Sequence, residues 1–328
     1  MTTINRKLSV APMMDWTDRH CRYFHRRFSK HTLLYTEMVT AAAVVHGNRD
    51  HLLGYHEDEH PVALQLGGSD PVLLAEATRI ACDYGYDEVN LNVGCPSDRV
   101  QSGSFGAILM ENPALVADCA SAMIKASTGA EVTIKCRIGV DDQTPEDILP
   151  EFLSRVSAAG IRSFSVHARK AWLQGLSPKE NRDVPPLNYD LVYAMKRLFP
   201  GVEVCINGGI TSLEQAQAHL DAGVDGVMIG RTAYHEPAKI LATADQQFFG
   251  SSNNTTAEQA VLDMLPYIES ELGKGARLNQ ITRHMLGAFA GRPGARRWRR
   301  VISEGAHIEG AGPELVLSAL EEIRQLAT

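Results

Sequence analysis

The sequence predicts an α/β fold, a (β/α)8 TIM barrel followed by a small all-α helical bundle domain. Short apolar strands alternate with amphipathic helices eight times within about 245 residues, which is the count and size of such a barrel. Glycine pairs or Gly-Arg follow the last two strands, and after Gly250 strand patterns give way to helical periodicity. We therefore divide the chain into a barrel, residues 1–250, and a helical domain, residues 251–328. A doubly wound open sheet shows the same alternation, but eight consecutive units favour a closed barrel.

The eight strand-helix units follow one another in order along the chain. Strands are predicted at 8–13, 33–38, 62–66, 88–94, 132–138, 163–167, 204–207 and 226–230. The helices that follow them are predicted at 17–28, 41–46, 71–84, 113–126, 145–159, 189–198, 213–221 and 237–248. Three helices begin with a capping residue before proline, at 70–71, 112–113 and 144–145, and glycines at 85, 160 and 223 lie where helices should end.

The composition is ordinary for a soluble protein, and we expect a cytoplasmic one. No apolar run approaches the roughly 20 residues that a membrane helix needs, and the N-terminus carries no apolar signal core. The six cysteines include no Cys-x-x-Cys pair, which argues against a zinc ribbon or a disulfide framework. We expect no metal and, since no dimerisation heptad is present, a monomer.

The net charge of -7 hides a basic segment at residues 274–300. This segment holds eight Lys or Arg and no Asp or Glu, whereas the remainder of the chain has 24 basic and 39 acidic side chains. Such clustering indicates a localised site for a polyanion, and Trp298 within it would add aromatic surface. The alternative is an ordinary solvated helix face.

Polar side chains lie near the ends of several predicted strands. In a barrel these strand ends meet at one mouth, where active sites lie. Asn90 and Asn92 share one strand face although asparagine is poor strand material, and Lys135 and Arg137 share another. The full set of strand-end candidates is Gln65, Asn90, Asn92, Lys135, Arg137, His167, Arg169 and Asn207. Singly each has a structural explanation, but a lysine in a buried strand needs an anion or an electron-rich partner.

A phosphate site is predicted after strands seven and eight. Asn207-Gly208-Gly209 and Gly230-Arg231 occupy the positions where barrels commonly bind phosphate, and glycines let backbone N–H groups approach it. With Lys135 and the opening loop Pro12-Met13-Met14, these segments outline a flavin mononucleotide (FMN) site. A cation beside the flavin ring stabilises the negative charge that reduction creates.

Cys95 ends the fourth strand in a Gly-Cys-Pro corner and has three possible roles. A nucleophile would need a lowered pKa and a base partner, and the sequence identifies none. A proton donor suits a thiol, since free thiols with a pKa of about 8.5 are mostly protonated at neutral pH. A buried structural cysteine is the third reading.

The motifs resemble those of the tRNA-dihydrouridine synthases over nearly the whole chain. The shared segments are Ala-Pro-Met-Met-Asp at 11–15, Leu-Asn-Val-Gly-Cys-Pro at 91–96, Lys-Cys-Arg-Ile-Gly at 135–139, His-Ala-Arg at 167–169, Asn-Gly-Gly-Ile at 207–210 and Gly-Arg at 230–231. Residues 175–182 and 292–300 look like the bacterial subfamily that modifies D-loop positions 20 and 20a.

This resemblance implies an enzyme in which NADPH reduces FMN, hydride passes to C6 of a uridine, and Cys95 protonates C5. It implies FMN contacts at Pro12, Met13, Met14, Gln65, Lys135, His167, Asn207, Gly208, Gly209, Gly230 and Arg231. It implies tRNA contacts at Lys179, Arg182, Arg296 and Arg299, with Asn92 beside the thiol. We add Asn90, Arg137 and Arg169 as further candidates for RNA binding from their strand-end positions.

Two other functions fit parts of the sequence. A barrel flavoenzyme acting on a small substrate would share the cofactor and the hydride chemistry, but it would leave the basic segment without a use. A catalytically idle RNA chaperone would use the basic segment but would not need Cys95.

Overall fold

Eight parallel strands close into one barrel in the computed structural model, which describes residues 4–97 and 105–327. The strands are β1 (Leu8–Val10), β2 (Leu33–Thr40), β3 (Val62–Gly67), β4 (Glu88–Val93), β5 (Glu131–Arg137), β6 (Ser163–His167), β7 (Glu203–Asn207) and β8 (Gly226–Ile229). Each strand pairs with the next in sequence, and β1 pairs with β8 to complete the closure. The predicted TIM barrel is confirmed and the open sheet is excluded.

Helices surround the barrel and continue beyond it. The barrel helices are α1 (Arg19–Phe28), α2 (Ala41–His46), α3 (Arg49–Leu53), α4 (Pro71–Asp83), α5 (Pro113–Ala126), α6 (Pro145–Ala158), α7 (Tyr189–Leu198), α8 (Leu213–Asp221), α9 (Arg231–His235), α10 (Pro237–Leu241) and α11 (Ala244–Phe249). The C-terminal helices are α12 (Ala257–Leu262), α13 (Leu265–Gly273), α14 (Leu278–Thr282), α15 (Ala295–Gly305) and α16 (Pro313–Ala327).

Most predicted boundaries lie within two residues of those observed, and three of the differences have a clear local cause. Strand β1 ends at Val10 because Pro12 has no N–H for the sheet and the Met13 N–H turns to the Thr17 hydroxyl, 3.0 Å away. Helix α1 begins at Arg19, since the Asp18 carboxylate accepts the first free N–H groups of the helix. The helix predicted at 237–248 is two helices, α10 and α11.

Strand alternation separates the apolar helix layer from a polar interior. Ile134 and Cys136 of β5 are fully buried in the main apolar core, whereas Lys135 and Arg137 face the interior. In β6, Phe164 and Val166 likewise pack outward. This arrangement fixes which side chains can reach the barrel mouth.

The C-terminal helices share a continuous apolar core with the barrel. Asp18, at the start of α1, accepts hydrogen bonds from Arg283 at 2.6 Å and His284 at 3.0 Å, and these bonds hold the pKa of the Asp18 carboxyl well below its usual range against the opposing effect of burial. Tyr267 of α13 stacks on Tyr23 of α1 at 3.9 Å between ring centroids. The helices are therefore docked on α1, and the division of the chain at residue 250 stays a prediction.

None of the helices within the described ranges is both long and apolar enough to cross a membrane.

Candidate active site

Lys135, His167 and Asn207 meet at the carboxyl ends of β5, β6 and β7. The Lys135 ammonium donates to Asn207 Oδ1 at 3.1 Å, and the Asn207 amide donates in turn to the Met228 carbonyl at 2.8 Å. Burial, aided by Arg137, lowers the pKa of Lys135 to about 8, and burial lowers the pKa of His167 well below its ordinary value. His167 is therefore a neutral imidazole at pH 7, while Lys135 still carries its proton in most molecules.

A group of cations gathers at this mouth, with Asp183 as a neighbouring acid. Arg137 is 3% exposed, and its guanidinium donates to the carbonyls of Gly94, Lys170 and Asn181 at 2.9 to 3.0 Å. Burial lowers the pKa of Arg137 to about 10, with Arg182 and Arg169 contributing. In the described part of the chain no carboxylate pairs with Lys135, Arg137 or Arg182. Such a cluster is suited to an anionic or electron-rich ligand.

The two glycines after β7 adopt a backbone that side chains disfavour. Gly208 has φ +114° and Gly209 has φ +73°. A Cβ on Gly208 would lie 2.6 Å from His167 Cδ2, and one on Gly209 would lie 2.7 Å from Leu187 Cδ1. Tyr189 fixes the turn by donating to the Gly208 carbonyl at 2.6 Å. At the predicted glycine loop the backbone therefore passes close to His167 and Leu187, beside the cations.

The segments after β8 and β1 lie together. Gly230 caps α9, and a Cβ on it would lie 3.6 Å from Met13 Sδ. Pro12 and Met13 are partly buried, whereas Met14 is 53% exposed. Arg231 is bound by Asp183, with its two terminal nitrogens 2.6 and 3.1 Å from the carboxylate oxygens.

The turn that carries Cys95 is held by one side chain. Asn92 Oδ1 accepts the N–H groups of Gly94 at 3.0 Å and Cys95 at 2.9 Å. Cys95 is partly exposed, and its sulfur is close enough to Lys135 and Arg137 to act against the fall in the pKa of each. The structure therefore brings the thiol to the same mouth as the lysine.

Gln65 and Asn90 lie deeper and bond within the chain. Gln65 Nε2 donates to Asn90 Oδ1 at 2.9 Å, and Gln65 Oε1 accepts from Asn92 Nδ2 at 2.8 Å. Asn90 has no exposed surface and Gln65 is 1% exposed. These two amides lie below the Cys95 turn and bond to each other and to Asn92.

The loop after β6 presents further cations. Lys179 and Arg182 are exposed at a short 3-10 turn, Glu180–Arg182, while Arg169 donates to the Pro185 carbonyl. Asn181 holds this loop from inside by bonding to the backbone of Trp172 at 2.7 and 2.8 Å. These bonds fix the backbone next to Arg182 and so keep this residue near the mouth.

The basic segment divides into exposed and structural residues. Arg296 and Arg299, with Arg292 and Arg297, line an open concavity of about 540 Å³ on α15. Arg297 pairs with Glu322 of α16. The expectation that Trp298 adds aromatic surface is wrong, because its ring is fully buried against Phe289 and its Nε1 donates to the Met285 carbonyl at 3.0 Å.

Sequence reasoning missed two contributors to this site. Asp183 bonds Arg231 across 48 residues of sequence, and Tyr189 supports the glycine turn from the start of α7. No periodicity or motif marks either residue, since each acts through a contact between loops.

Within the described residues, no group of three or more His, Cys, Asp or Glu is arranged to hold a metal ion.

Comparisons with known proteins agree with one another on fold and family. The chain is 57% identical over 322 residues to the tRNA-dihydrouridine(20/20a) synthase of Shewanella oneidensis, covering 98% of this chain and 95% of that protein. It is 58% identical over 317 residues to the enzyme of the same name from Escherichia coli K12, covering 96% and 91% of the two chains.

More distant likeness to solved structures concerns the fold alone. An old yellow enzyme homologue from Zymomonas mobilis matches with a TM-score of 0.53 at 14% identity, covering 77% of this chain and 92% of that one. Morphinone reductase matches with a TM-score of 0.52 at 14% identity, covering 76% and 87% of the two chains.

The model of the dihydrouridine synthase family matches residues 9–324. Family model and full-length relatives together establish that the chain belongs to the dihydrouridine synthase family.

Proposed function

We propose that this protein is a tRNA-dihydrouridine(20/20a) synthase, a cytoplasmic monomer that reduces the C5–C6 double bond of uridines 20 and 20a in the tRNA D-loop. NADPH is the electron source and FMN the cofactor. The observation that carries the proposal is the meeting at one barrel mouth of a glycine turn, a partly buried lysine and the Cys95 turn. The identity of 57% and 58% to two relatives of this name supports the substrate.

The residues present fit a flavin nucleotide. The Gly208 and Gly209 turn, with Gly230 and Arg231, would hold the phosphate through backbone N–H groups and the guanidinium. A Cβ at Gly208 or Gly209 would collide with His167 or Leu187, so glycine is needed for the turn to keep this shape. Lys135 and Asn207 would face the ring, where a cation stabilises added negative charge. When bound, reduced FMN supplies the hydride that the uracil C6 accepts.

Cys95 completes the addition by giving its thiol proton to C5 of the uracil. Asn92 holds the backbone of this residue through the Gly94 and Cys95 N–H groups, which fixes the position from which the side chain projects. Lys135 and Arg137 lie near the thiol and are not paired with carboxylates in the described chain, so they would attract the carbonyl oxygens of the uracil. The thiol then recovers its proton from solvent.

A uridine in folded tRNA must leave its stack to reach this mouth. Lys179 and Arg182 lie exposed beside the mouth, and Arg296 and Arg299 line the concavity on α15. These two groups provide separated phosphate contacts, which fix the orientation of the RNA rather than read its bases.

The test uses the purified protein and an unmodified tRNA transcript. We expect a yellow protein with the absorption of oxidised flavin, which loses its colour on addition of NADPH. Incubation with the transcript should produce dihydrouridine at positions 20 and 20a, detected by mass mapping of nuclease fragments. A flavoprotein that leaves the transcript unchanged, or that reduces free uracil equally well, would favour the small-substrate flavoenzyme instead.

A further inference from the structure

A chain of hydrogen bonds runs through the barrel interior from its floor to the Cys95 turn. At the upper end, the N–H groups of Gly94 and Cys95 donate to Asn92 Oδ1. Asn92 Nδ2 donates to Gln65 Oε1 at 2.8 Å, and Gln65 Nε2 donates to Asn90 Oδ1 at 2.9 Å. The upper half is therefore built only of amides.

The lower half leads to a buried ion pair. Asn90 Nδ2 donates to Thr133 Oγ1 at 2.8 Å, and the Thr133 hydroxyl donates to Glu88 Oε1 at 2.5 Å. Glu88 is fully buried and accepts from Tyr35 OH at 2.5 Å and from two nitrogens of Arg6 at 2.7 and 2.9 Å. The chain thus ends on a carboxylate fixed by an arginine.

The two ends dictate the orientation of every group between them. A carboxylate without a proton can only accept, and a backbone N–H can only donate. The Thr133 hydroxyl must therefore point down towards Glu88, and each amide must turn its NH2 group down and its oxygen up. A single reversed amide would bring two donors or two acceptors face to face inside the barrel, where an unmade bond is costly. Bonds aligned in one direction also polarise one another.

We infer that Glu88, Thr133 and Asn90 are positioning residues for the reaction, which act on Cys95 through Gln65 and Asn92. Their hydrogen bonds select the amide orientation of Asn92 that offers oxygen, not NH2, to the Cys95 turn. The reverse orientation of Asn92 would face the Gly94 and Cys95 N–H groups with further donors and would release the turn. The inference rests on the proposed function only where it concerns turnover.

Thr133 is the place to test the chain, because valine replaces threonine with nearly the same shape. Thr133→Val removes the hydroxyl that joins Asn90 to Glu88, and Thr133→Ser keeps it. Thr78 gives a matched control because it is fully buried on α4, outside the chain of hydrogen bonds. Among the described residues, its hydroxyl donates to the Leu74 carbonyl at 2.7 Å. Thermal denaturation of Thr133→Val and Thr78→Val measures how much stability each variant loses with its buried hydroxyl, so that a general loss of stability can be told apart from an effect on the Cys95 turn.

The first readout is hydrogen exchange by mass spectrometry on the peptide that contains the Gly94 and Cys95 amides, with the flavin removed. Thr133→Val should exchange these amides several-fold faster than wild type, while Thr78→Val and Thr133→Ser should not. The second is turnover on the tRNA transcript, where Thr133→Val should lower kcat about tenfold with KM for tRNA unchanged.

The outcomes separate the two proposals. Unchanged exchange in Thr133→Val, or the same acceleration in Thr78→Val, would overturn the positioning role. A wild-type protein that makes no dihydrouridine would instead overturn the proposed function and leave the exchange result standing.

Discussion

Asp183 binds both terminal nitrogens of Arg231, at 2.6 and 3.1 Å, and so ties the loop after β6 to the start of α9. Both side chains are well exposed, and such pairs typically stabilise a fold by no more than about 1 kcal/mol. The pair matters more for ligand binding than for stability, because Arg231 is the arginine that we assign to the flavin phosphate. Its two terminal nitrogens are already bound to a carboxylate, which competes with the phosphate.

Replacing Asp183 with Asn should tighten FMN binding. The substitution removes a negative charge that competes with the phosphate for Arg231, and roughly 1 kcal/mol of relief corresponds to about fivefold in the dissociation constant. Fluorescence titration of the flavin-free protein with FMN measures the change. Asp190→Asn, an exposed carboxylate on α7, is the matched control. Weaker binding in Asp183→Asn would mean that Asp183 holds Arg231 in its productive position.

Replacing Lys135 with Met should stabilise the flavin-free protein near pH 7. Burial lowers the pKa of Lys135 from 10.5 to about 8 in the folded state, so the unfolded chain binds this proton more tightly. The cost is fully present below about pH 8 and fades as the pH rises towards 10.5, because the folded protein gives up the proton first. It amounts to at most about 3 kcal/mol, reduced where water reaches the mouth.

Denaturation midpoints of Lys135→Met and wild type, compared near pH 7 and near pH 9.5, check this prediction. The advantage of the variant should shrink at the higher pH. Lys125→Met, at an exposed lysine on α5, is the matched control. A variant less stable than wild type near pH 7 would show that the ammonium is not a burden on the fold.

Gly208→Ala should weaken FMN binding, whereas an alanine that causes similar backbone strain at Gly223 should not. Gly208 and Gly223 have similar positive φ angles, +114° and +101°, so alanine at either position costs about 1 to 2 kcal/mol. Only at Gly208 does the new Cβ meet a neighbour, since Gly223 has open space around it. Both variants should unfold at a lower temperature, but only Gly208→Ala should lose FMN affinity in a titration. Equal affinity in the two variants would remove the glycine turn from the phosphate site.

Exchanging Arg296 and Arg299 for Ala should lower the salt dependence of tRNA binding. Each phosphate contact contributes nearly one unit to the slope of log affinity against log salt, so the double variant should lose about two units. Arg324→Ala is the control: Arg324 lies on α16, outside this concavity, and pairs with Glu258. Filter binding at several salt concentrations distinguishes them, and an unchanged slope in the double variant would place the RNA elsewhere.

The sequence predicts this site in outline because successive side chains of a strand point to opposite sides of the sheet. Each strand residue can therefore be assigned either to the barrel interior or to the helix layer. Lys135, with Asn207, was correctly expected at the mouth for that reason. Alternation does not give depth, so the sequence could not show that Asn90 lies below the surface of the site while Asn92 holds the Cys95 turn. Trp298 was misjudged because the inward face of α15 is decided by contacts with Phe289 and Met285, which no local pattern reveals.

Cys95→Ala should abolish dihydrouridine formation while leaving the protein folded and its ligands bound. Asn92 bonds to the backbone N–H of residue 95, which alanine keeps, so the turn should survive the loss of the sulfur. Removing a general acid typically costs a factor of about 10² to 10⁴ in rate.

The flavin spectrum and tRNA affinity of Cys95→Ala should match wild type, and turnover on the transcript should fall by that factor. Cys82→Ala tests whether losing any partly exposed thiol has this effect, since Cys82 bonds to Ser127 away from the mouth and should leave turnover unchanged. Cys95→Ser should recover little, because a serine hydroxyl is a far weaker acid than a thiol. If Cys95→Ala retained more than about a tenth of the wild-type rate, the proton on C5 would have to come from another donor.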